Sequence, residues 1–284
     1  LPVSRSRRFP AQAHLPRGVV MAFASLRLHG VRVVVSNDAQ TAADAMRLAH
    51  DGGVEGGFLR PRASGMRFNP TFLNPGTEFV VAYADDQPIA SLVLTPDGPF
   101  GLPSDRAFVE ELDGFRAADD VLFEAGAWVI TPEWRRHTMF LGAFLFAPAM
   151  RIHIAAGDNR RMCVVVEPNR INMVSGIFGY ELICGPRPYL GLPGTLLVTR
   201  PSREWAEHFM DTSASAPRRI VADHVFDPEP GWLQVGREGE HWTHELLPTL
   251  LPESDVQERL AAQLEILEVS SVPLRQFEPS PIVR

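Results

Sequence analysis

The fold is decided by VLFEAGAWVI, residues 121–130, and by the sequence that follows it. This apolar, β-prone run is interrupted by one carboxylate, Glu124, and by Gly126, and a glycine inside a strand often marks a bulge. TPEWRRHT at 131–138 turns the chain, and apolar residues then recur at helical spacing from Met139 to Ile154, which predicts a helix with one buried face. Because the first turn of a helix offers unpaired N–H groups to an anion, we expect the chemistry to lie at the turn after this strand.

The sequence around this strand predicts further elements. A polar break at 157–161 leads into MCVVVE, residues 162–167, which has the pattern of a buried strand, and a short helix at 169–178 and another strand follow. Upstream, the pattern predicts a strand, a helix, a β-hairpin that turns at two aspartates and a mostly polar helix: Val31–Ser36, Thr41–His50, Glu78–Ala84 with Gln87–Leu94, and Ala107–Arg116. Strands that alternate with helices are typical of an α/β domain.

Composition excludes several classes of function. The 284 residues are 45% hydrophobic and 21% charged, which suits a globular protein, and no apolar run approaches the roughly 20 residues that cross a membrane. All 27 basic residues are arginine, so a lysine Schiff base or nucleophile is excluded. The net charge of -7 argues against general nucleic-acid binding. We expect Cys163 and Cys184 to be buried thiols in a reducing cytoplasm, and we expect no metal site.

The chain divides into three predicted regions. Residues 1–22 form a basic, proline-containing tail that lacks the apolar segment of a secretory signal. Residues 23–200 hold the predicted α/β domain, and residues 201–284 form a C-terminal helical extension. A helix at 253–268 carries one apolar face, which we expect to pack on the core or to form a homodimer contact.

Several separated motifs between Val31 and Thr199 occur in the order found in one enzyme family. They are RFNP at 67–70, FL at 72–73, PGT at 75–77, TPDGPFGLPSD at 95–105, EELD at 110–113 and Arg116. With these motifs the chain resembles the N-acyl amino acid synthases of the FeeM type, which are GNAT-superfamily relatives of the acyl-homoserine lactone synthases. The resemblance implies an α/β, GNAT-like three-layer fold in which helices flank a mixed central sheet.

The resemblance also implies a reaction. Enzymes of this type transfer a long fatty acyl chain from the phosphopantetheine thioester of acyl carrier protein to the amine of an amino acid, without a further bound cofactor. In the superfamily, the pantetheine arm enters a cleft between two splayed strands, and its phosphates rest on the turn after the first strand. Common acetyl-CoA users carry Arg/Gln-x-x-Gly-x-Gly/Ala at this turn, whereas residues 135–140 have arginines and no glycines, which favours a donor with one phosphate.

Two other interpretations are open at this point. The first is an acetyl-CoA-dependent acetyltransferase that acts on a small amine. The second is a catalytically silent acyl-binding domain. Turnover with an amine acceptor would exclude the silent domain, and the identity of the donor would separate the two enzymes.

Three residues are candidates for the proton transfers that aminolysis of a thioester requires. Glu124 would act as base, because burial in an apolar run raises the pKa of a carboxyl group, and the alternative is a structural ion pair with an arginine. His137 is a second base candidate that fits a phosphate-binding or capping role equally well. The resemblance places Ser175 where many GNAT enzymes carry a tyrosine that protonates the thiolate. The backbone N–H groups of Val129 and Ile130 are the predicted oxyanion donors.

The remaining candidates bind the donor. Guanidinium groups at a helix N-terminus suit a phosphate, so the predicted phosphopantetheine site consists of Arg135, Arg136, Thr138 and Met139. The predicted acyl pocket, whose members would otherwise be ordinary core, consists of Phe140, Phe144, Val164 and Ile177. A basic face would steer an acidic carrier protein, and its predicted members, which are otherwise a solvated surface, are Arg151, Arg160 and Arg161.

Overall fold

A computed structural model describes residues 30–156, 159–201, 233–235 and 256–259, and its centre is a mixed sheet of eight strands. The strands are β1 (Val31–Ser36), β2 (Glu78–Ala84), β3 (Gln87–Pro96), β4 (Val121–Ile130), β5 (Arg160–Val166), β6 (Glu181–Tyr189), β7 (Leu192–Thr199) and β8 (Leu233–Val235). The α-helices are α1 (Ala39–Glu55), α2 (Asp105–Ala117), α3 (Thr138–Ala156) and α4 (Ile171–Phe178). Short 3-10 helices occupy Pro70–Leu73, Pro132–His137 and Pro168–Arg170.

The strands lie in the order β6-β7-β5-β4-β3-β2-β1-β8. Neighbours are antiparallel, except that β4 is parallel to β5 and β1 is parallel to β8. The predicted hairpin of β2 and β3 turns at Asp85 and Asp86, whose φ angles are 48° and 61°. Two successive residues of positive φ suit the tight turn whose twist matches that of the strands. The parallel β4–β5 pair needs a crossover, which α3 supplies.

Helices cover both faces of the sheet and give three layers. On one face, α1 packs against a cluster that includes Phe79 and Val93, and α2 packs against Leu122 next to it. On the other face, α3 and α4 pack against a larger cluster that includes Leu92 and Ala125. The sheet therefore separates an α1–α2 side from an α3–α4 side, which is the three-layer arrangement expected from the sequence.

The predicted elements of the domain are confirmed, with ends shifted by a few residues. For example, α1 continues to Glu55, beyond the predicted end at His50. The prediction of one buried face for α3 is wrong, because every residue from Phe140 to Met150 is buried. A helix that is apolar all round belongs inside a core. Within the described ranges, no helix has both the length and the apolar character needed to span a membrane.

Two short segments of the C-terminal extension contact the domain. β8 pairs with β1 at the edge of the sheet, so the extension contains a strand as well as the predicted helix. Residues 256–259 are helical, and Val256 packs against the cluster under α1. The Arg259 guanidinium donates to the carbonyl oxygen of Phe68. The predicted tail at 1–22 and most of the helix at 253–268 lie outside the described residues.

Candidate active site

A cleft opens between β4 and β5 at the centre of the sheet. The parallel ladder joins only Val121–Glu124 to Arg160–Cys163. Beyond this ladder, β4 continues along β3 to Ile130, and β5 continues along β7 to Val166. The two strands therefore diverge after Glu124 and Cys163, and we call this point the fork.

A bulge bends β4 just beyond the fork. Ala127 and Trp128 together lie opposite Leu92 of β3. Ala127 has a φ of 49°, and its carbonyl oxygen accepts a hydrogen bond from the Ser91 hydroxyl at 3.4 Å. An extra residue in one strand interrupts the ladder and bends that strand locally. The bulge that Gly126 indicated is therefore present, one residue further along the chain.

The backbone N–H groups of β4 alternate between its two edges. The Thr131 N–H, which follows the strand directly, donates to the Ile89 carbonyl oxygen on the β3 side at 2.9 Å. Because successive N–H groups of a strand point to opposite edges, the Ile130 N–H points into the cleft and the Val129 N–H points back to β3. Of the two predicted oxyanion donors, Ile130 has the required orientation and Val129 does not.

Glu124 lies at the fork and is 2% exposed. The Ser104 backbone N–H donates to Oε2 of Glu124 at 2.7 Å. A Cβ placed on Gly126 would lie 3.6 Å from Oε1 of Glu124, so the carboxylate extends toward the divergent half of β4. No arginine forms an ion pair with Glu124 within the described ranges, so the structural ion pair considered above is not found among these residues.

The environment of Glu124 gives its carboxyl group a pKa that suits a general base. Burial raises the pKa of Glu124 to about 7, hydrogen bonding to Ser104 opposes this rise, and the nearby charge of Asp105 adds to it. A carboxyl group that titrates near neutrality is deprotonated often enough to act, and is basic enough to accept a proton from an attacking amine.

The loop that carries Ser104 is fixed by the buried side chain of Asn74. The Asn74 amide nitrogen donates to the carbonyl oxygens of Pro96 and Gly101 at 2.9 and 2.7 Å. Its amide oxygen accepts from the Phe100 N–H at 2.9 Å. Three bonds from one buried side chain hold both ends of the loop, since an unpaired buried amide would be costly.

Arg116 of α2 fixes the same loop from the other side. It is buried and donates to Asp97 from Nε at 2.7 Å and to Asp105 from Nη1 at 2.9 Å. Asp105 in turn accepts the Leu102 N–H at 2.7 Å. Planar guanidinium groups suit such paired carboxylates. Arg116, which is one of the family motifs noted above, and Asn74, which lies between two of them, thus hold the loop that places Ser104 against Glu124.

Tyr189 reaches the same pocket from β6. Its hydroxyl lies near enough to Glu124 to oppose part of the rise in the carboxyl pKa. Burial, with the nearby charge of Glu124, raises the pKa of Tyr189 well above its ordinary value, so the hydroxyl keeps its proton. Its path across β7 is open because residue 194 is glycine, and a Cβ there would lie only 2.6 Å from Cβ of Tyr189.

The turn after β4 brings the predicted phosphate-binding arginines together. Arg135 and Arg136 belong to the 3-10 helix at Pro132–His137. Arg135 Nη1 lies 2.7 Å from Oε1 of Glu55 at the end of α1. Arg136 is exposed, and its only hydrogen bond within the described ranges runs from Nε to His137 Nε2 at 3.0 Å. Arg136 is therefore the cation of this turn that is not neutralised by a carboxylate.

Thr138 and Met139 begin α3 directly after this turn. The Thr138 hydroxyl donates to the Arg135 carbonyl oxygen at 2.5 Å. His137 stacks at a tilt on Trp134, with ring centroids 5.6 Å apart. The divergent half of β4, about 20 Å long, separates this histidine from Glu124. His137 therefore fits the binding or capping role and does not share the position of the base.

The α3–α4 side of the cleft is apolar. It holds the predicted acyl-pocket residues, which are all buried or half-buried: Phe140, Phe144, Val164 and Ile177. From the bulge, Trp128 packs edge-on against Phe146, with ring centroids 5.4 Å apart. The Trp128 Nε1 atom is buried and has no hydrogen-bond partner in the part of the chain that the structure describes. An orphaned buried N–H beside a cleft can be satisfied by a carbonyl oxygen of a ligand.

Ser175 lies on α4 and is half-buried. It stands beside Val174, which belongs to the main core. Its carbonyl oxygen accepts the Gly179 N–H at 3.1 Å where the helix ends. The structure places Ser175 on the α3–α4 side, and its part in protonating the thiolate stays a prediction.

The predicted carrier-binding arginines lie at the closed end of the cleft. Arg160 and Arg161 pair with the first two residues of β4, and Arg151 lies toward the end of α3. Arg160 is buried, with its guanidinium carbon 4.9 Å from the ring centroid of Phe123. Arg161 pairs with Asp120 at 3.0 Å. These positions lie away from the open end of the cleft, and binding of a carrier protein by this set stays a prediction.

The open end of the cleft carries other arginines. Arg135 and Arg136 follow the end of β4, and Arg170 follows the end of β5. All three are exposed. Basic groups therefore stand on both sides of the opening through which a pantetheine arm would enter.

A family model described as N-acyl amino acid synthase FeeM matches residues 44–199. The chain belongs to this family. The match spans more than half of the chain and contains the fork, the Ser104 loop and Tyr189. Membership makes the protein an acyltransferase. No sequence among curated proteins matches the chain.

Solved structures agree with the fold. The structure of FeeM, an N-acyl amino acid synthase from uncultured soil microbes, aligns with a TM-score of 0.53 at 16% identity over 62% of this chain and 93% of that one. A CoA-dependent acyl-homoserine lactone synthase, BjaI, solved with SAM and isopentyl-CoA, aligns with a TM-score of 0.50 at 14% identity over 74% of this chain and 95% of that one. At these identities the likeness concerns the fold alone, and the predicted GNAT-like architecture is confirmed.

Proposed function

We propose that this protein transfers a long-chain fatty acyl group from the phosphopantetheine thioester of acyl carrier protein to the amine of an amino acid. The observation that carries the proposal is the position of Glu124. A buried carboxyl group with a pKa of about 7 lies at the fork, where the divergent half of β4 leaves backbone N–H groups that face the cleft. Base and oxyanion donor are the two groups that aminolysis of a thioester needs most.

The reaction divides between the two sides of the sheet. The thioester lies along the cleft close to Glu124, with its carbonyl oxygen facing the divergent half of β4. The amine approaches from the α1–α2 side, where Glu124 and Tyr189 lie, and its nitrogen attacks the carbonyl carbon. Glu124 takes one proton from this nitrogen, the C–N bond forms and the C–S bond breaks. The thiolate leaves and takes up one proton, so the products are an amide and a thiol.

The charge at the open end favours a carrier-protein donor. Arg135 is already paired with Glu55, which leaves Arg136 and Arg170 on opposite sides of the opening. One guanidinium at the turn that pairs with no carboxylate of the described ranges matches the single phosphate of a carrier-bound pantetheine better than the several phosphates of coenzyme A. An acidic carrier protein would be steered toward this basic opening.

The apolar α3–α4 side favours a long acyl chain. Each buried methylene group contributes about 0.8 kcal/mol, so a fatty acyl chain gains far more than an acetyl group from such a wall. The acyl-pocket residues Phe140, Phe144, Val164 and Ile177 lie on this side. An acetyl-CoA-dependent acetyltransferase would gain little from this apolar wall and is therefore the less favoured of the two enzyme functions.

The test is a competition assay with purified protein and a mixture of the twenty amino acids. Palmitoyl carrier protein and a panel of acyl-CoAs, including acetyl-CoA, are supplied separately, thiol release is followed, and products are identified by mass. We expect an N-acyl amino acid from the carrier-protein donor. Product from acetyl-CoA alone would establish the acetyltransferase alternative, and no thiol release with any donor would establish the silent domain.

A further inference from the structure

The hydroxyl group of Ser104 has no hydrogen-bond partner among the described residues, although Ser104 is fully buried. Ser104 directly precedes α2, where a serine usually caps a helix by accepting an N–H of the first turn with its Oγ atom. Here the backbone of Ser104 is itself helical, with φ and ψ of -75° and -13°, and its side chain forms no capping bond. Because an unpaired buried hydroxyl is costly, this group indicates a partner that is not part of the described chain.

This hydroxyl lies beside the proposed base. The backbone N–H of the same residue donates to Oε2 of Glu124 at 2.7 Å, so the hydroxyl and the carboxylate are neighbours. Leu102 and Phe108, which precede and follow Ser104 in the sequence, belong to the same apolar cluster as Leu122. Ser104 therefore lies on the α1–α2 side of the sheet, from which the amine approaches in the proposed reaction.

The polar neighbours of Ser104 already have other partners. Cys163 lies opposite the base on β5, and its thiol donates to the Phe123 carbonyl oxygen at 3.2 Å. Asp105 accepts a hydrogen bond from Arg116 at 2.9 Å, in the network that fixes this loop. The Ser104 hydroxyl is therefore held in a rigid loop next to the base, and its oxygen is available to a ligand.

We infer that the Ser104 hydroxyl accepts a hydrogen bond from the attacking amine, so that the enzyme acylates primary amines and discriminates against secondary amines. This inference rests on the proposed function, because it adds a catalytic residue to the same site and names the class of amine. A serine oxygen can accept a hydrogen bond from an N–H group in this way. The bond strengthens as positive charge develops on the attacking nitrogen.

The number of N–H groups on the amine explains the preference. A neutral primary amine has two. When its nitrogen attacks the carbonyl carbon of the thioester, the C–N bond forms, one proton passes to Glu124, and the other N–H stays on the Ser104 oxygen. The C–S bond then breaks, the thiolate leaves and takes up a proton, and the amide keeps the second N–H. A secondary amine gives its only N–H to Glu124 and leaves the buried Ser104 oxygen unpaired, which is costly.

The test compares two acceptors, the best primary amino acid from the competition assay and its N-methyl derivative, in the unaltered enzyme and in two variants. Ser104→Ala removes the hydroxyl, and Ser104→Cys keeps a side chain of similar shape whose sulfur is a weak acceptor. Both variants keep the backbone N–H that donates to Glu124.

We expect the unaltered enzyme to prefer the primary amine by about 20-fold in kcat/KM, as for a hydrogen bond to a group that becomes charged. Each variant should lower kcat/KM for the primary amine by about 20-fold. For the N-methyl acceptor, kcat/KM should change by less than about twofold, because the lost bond was not made to it.

Thermal unfolding separates a catalytic role from a structural one. Because the described chain gives the hydroxyl no partner, Ser104→Ala should leave the unfolding midpoint within about 2 °C of that of the unaltered enzyme. Thr71→Val is the matched control, since the Thr71 hydroxyl is also buried and unpaired in the described ranges. Thr71 lies in a 3-10 helix next to Phe72, which belongs to the cluster under α1. This control should leave kcat/KM unchanged for both acceptors.

The outcomes are distinguishable. Equal losses for the two acceptors, or equal use of both by the unaltered enzyme, would overturn the inference and leave the proposed function standing. A preference that is lost in Ser104→Ala and kept in Ser104→Cys would also overturn it, because alanine would then act only by making room for the methyl group. Absence of transfer to any amine would instead refute the proposed function.

Discussion

The two halves of β4 are built for different purposes. From Val121 to Glu124 the strand pairs with β5, and Phe123 and Glu124 pair with β3 on the other edge as well. From Ala125 to Ile130 it pairs with β3 alone, and a bulge interrupts even that ladder. The first half holds the sheet together, and the second half leaves backbone groups free for a substrate. A single strand thus carries both the centre of the fold and the wall of the active site, and the transition occurs at one ionisable residue.

The sharpest test of this comparison is Glu124→Gln. We expect kcat to fall by about 10³-fold, within the range for removal of a general base. The fold should survive, because an amide oxygen at this position can still accept the Ser104 N–H. The measurement is the single-turnover rate of amide formation with saturating donor and acceptor.

Glu78→Gln is the matched control for that variant. Glu78 lies on β2, and burial raises its pKa to about 7 as well, yet β3 separates its strand from β4 and from the cleft. Its replacement should leave the single-turnover rate within about twofold, the usual effect of a change away from the chemistry. If the two variants were equally slow, the fork would not be the site of the base.

The second test is the dependence of the rate on pH. Because the pKa of Glu124 is about 7, the active, deprotonated form is lost below neutrality, and kcat/KM should fall about tenfold per pH unit below pH 7 and level off above it. Stability should change in the opposite direction. The folded state holds the Glu124 proton more tightly than the unfolded chain, so the free energy of unfolding should decrease as pH rises from about 4.5 to 7.

The variants separate these two effects. Glu78→Gln should keep the acid limb of the rate profile and remove part of the pH dependence of stability, whereas Glu124→Gln should remove both contributions of residue 124. A rate profile of the unaltered enzyme that stays flat between pH 5 and 8 would contradict the assignment of Glu124 as base.

The third and smallest effect separates the two ends of the cleft. Arg136→Gln, at the open end, should raise KM for palmitoyl carrier protein by about tenfold, as expected for loss of one phosphate contact. Arg161→Gln, at the closed end, should leave this KM unchanged because Arg161 pairs with Asp120. Initial rates over a range of carrier-protein concentrations provide the measurement. The reverse result would place the carrier protein at the closed end, as the sequence had suggested.

Much of this molecule could be predicted from the sequence, because local patterns dominate its core. The apolar run at 121–130, the paired aspartates at 85 and 86 and the periodicity after Met139 have local causes, and each led to an observed element. Glu124 could be selected for a similar reason, since a lone carboxylate inside an apolar strand is conspicuous. The burial of α3 on every side was not predicted, because the spacing of apolar residues along a helix does not reveal what covers its other face.

The rest of the site depends on contacts between distant segments. Tyr189 meets Glu124 only because β6 and β7 fold back beside β5, and nothing near Tyr189 in the sequence indicates this. Arg160 looked like a surface cation but stacks on a phenylalanine. Arg116 belonged to a recognisable motif and Asn74 lay between two of them, yet their shared part in fixing one loop became visible only from their hydrogen bonds. The N–H of Ile130 points into the cleft and that of Val129 does not, and this difference can be known only from the register of the β3–β4 ladder.

The missing side chain at Gly194 has a consequence for related sequences. Glycine weakens the interior of a strand, so replacing Gly194 by another small residue would be expected to stabilise β7 if its neighbours were ignored. Yet a Cβ there would lie 2.6 Å from Tyr189 and 2.7 Å from Val165. Positions 189 and 194 therefore form a linked pair, and relatives that keep the tyrosine are expected to keep the glycine. The proposed reaction at β4 would in this way constrain the sequence of a hairpin that does not pair with that strand.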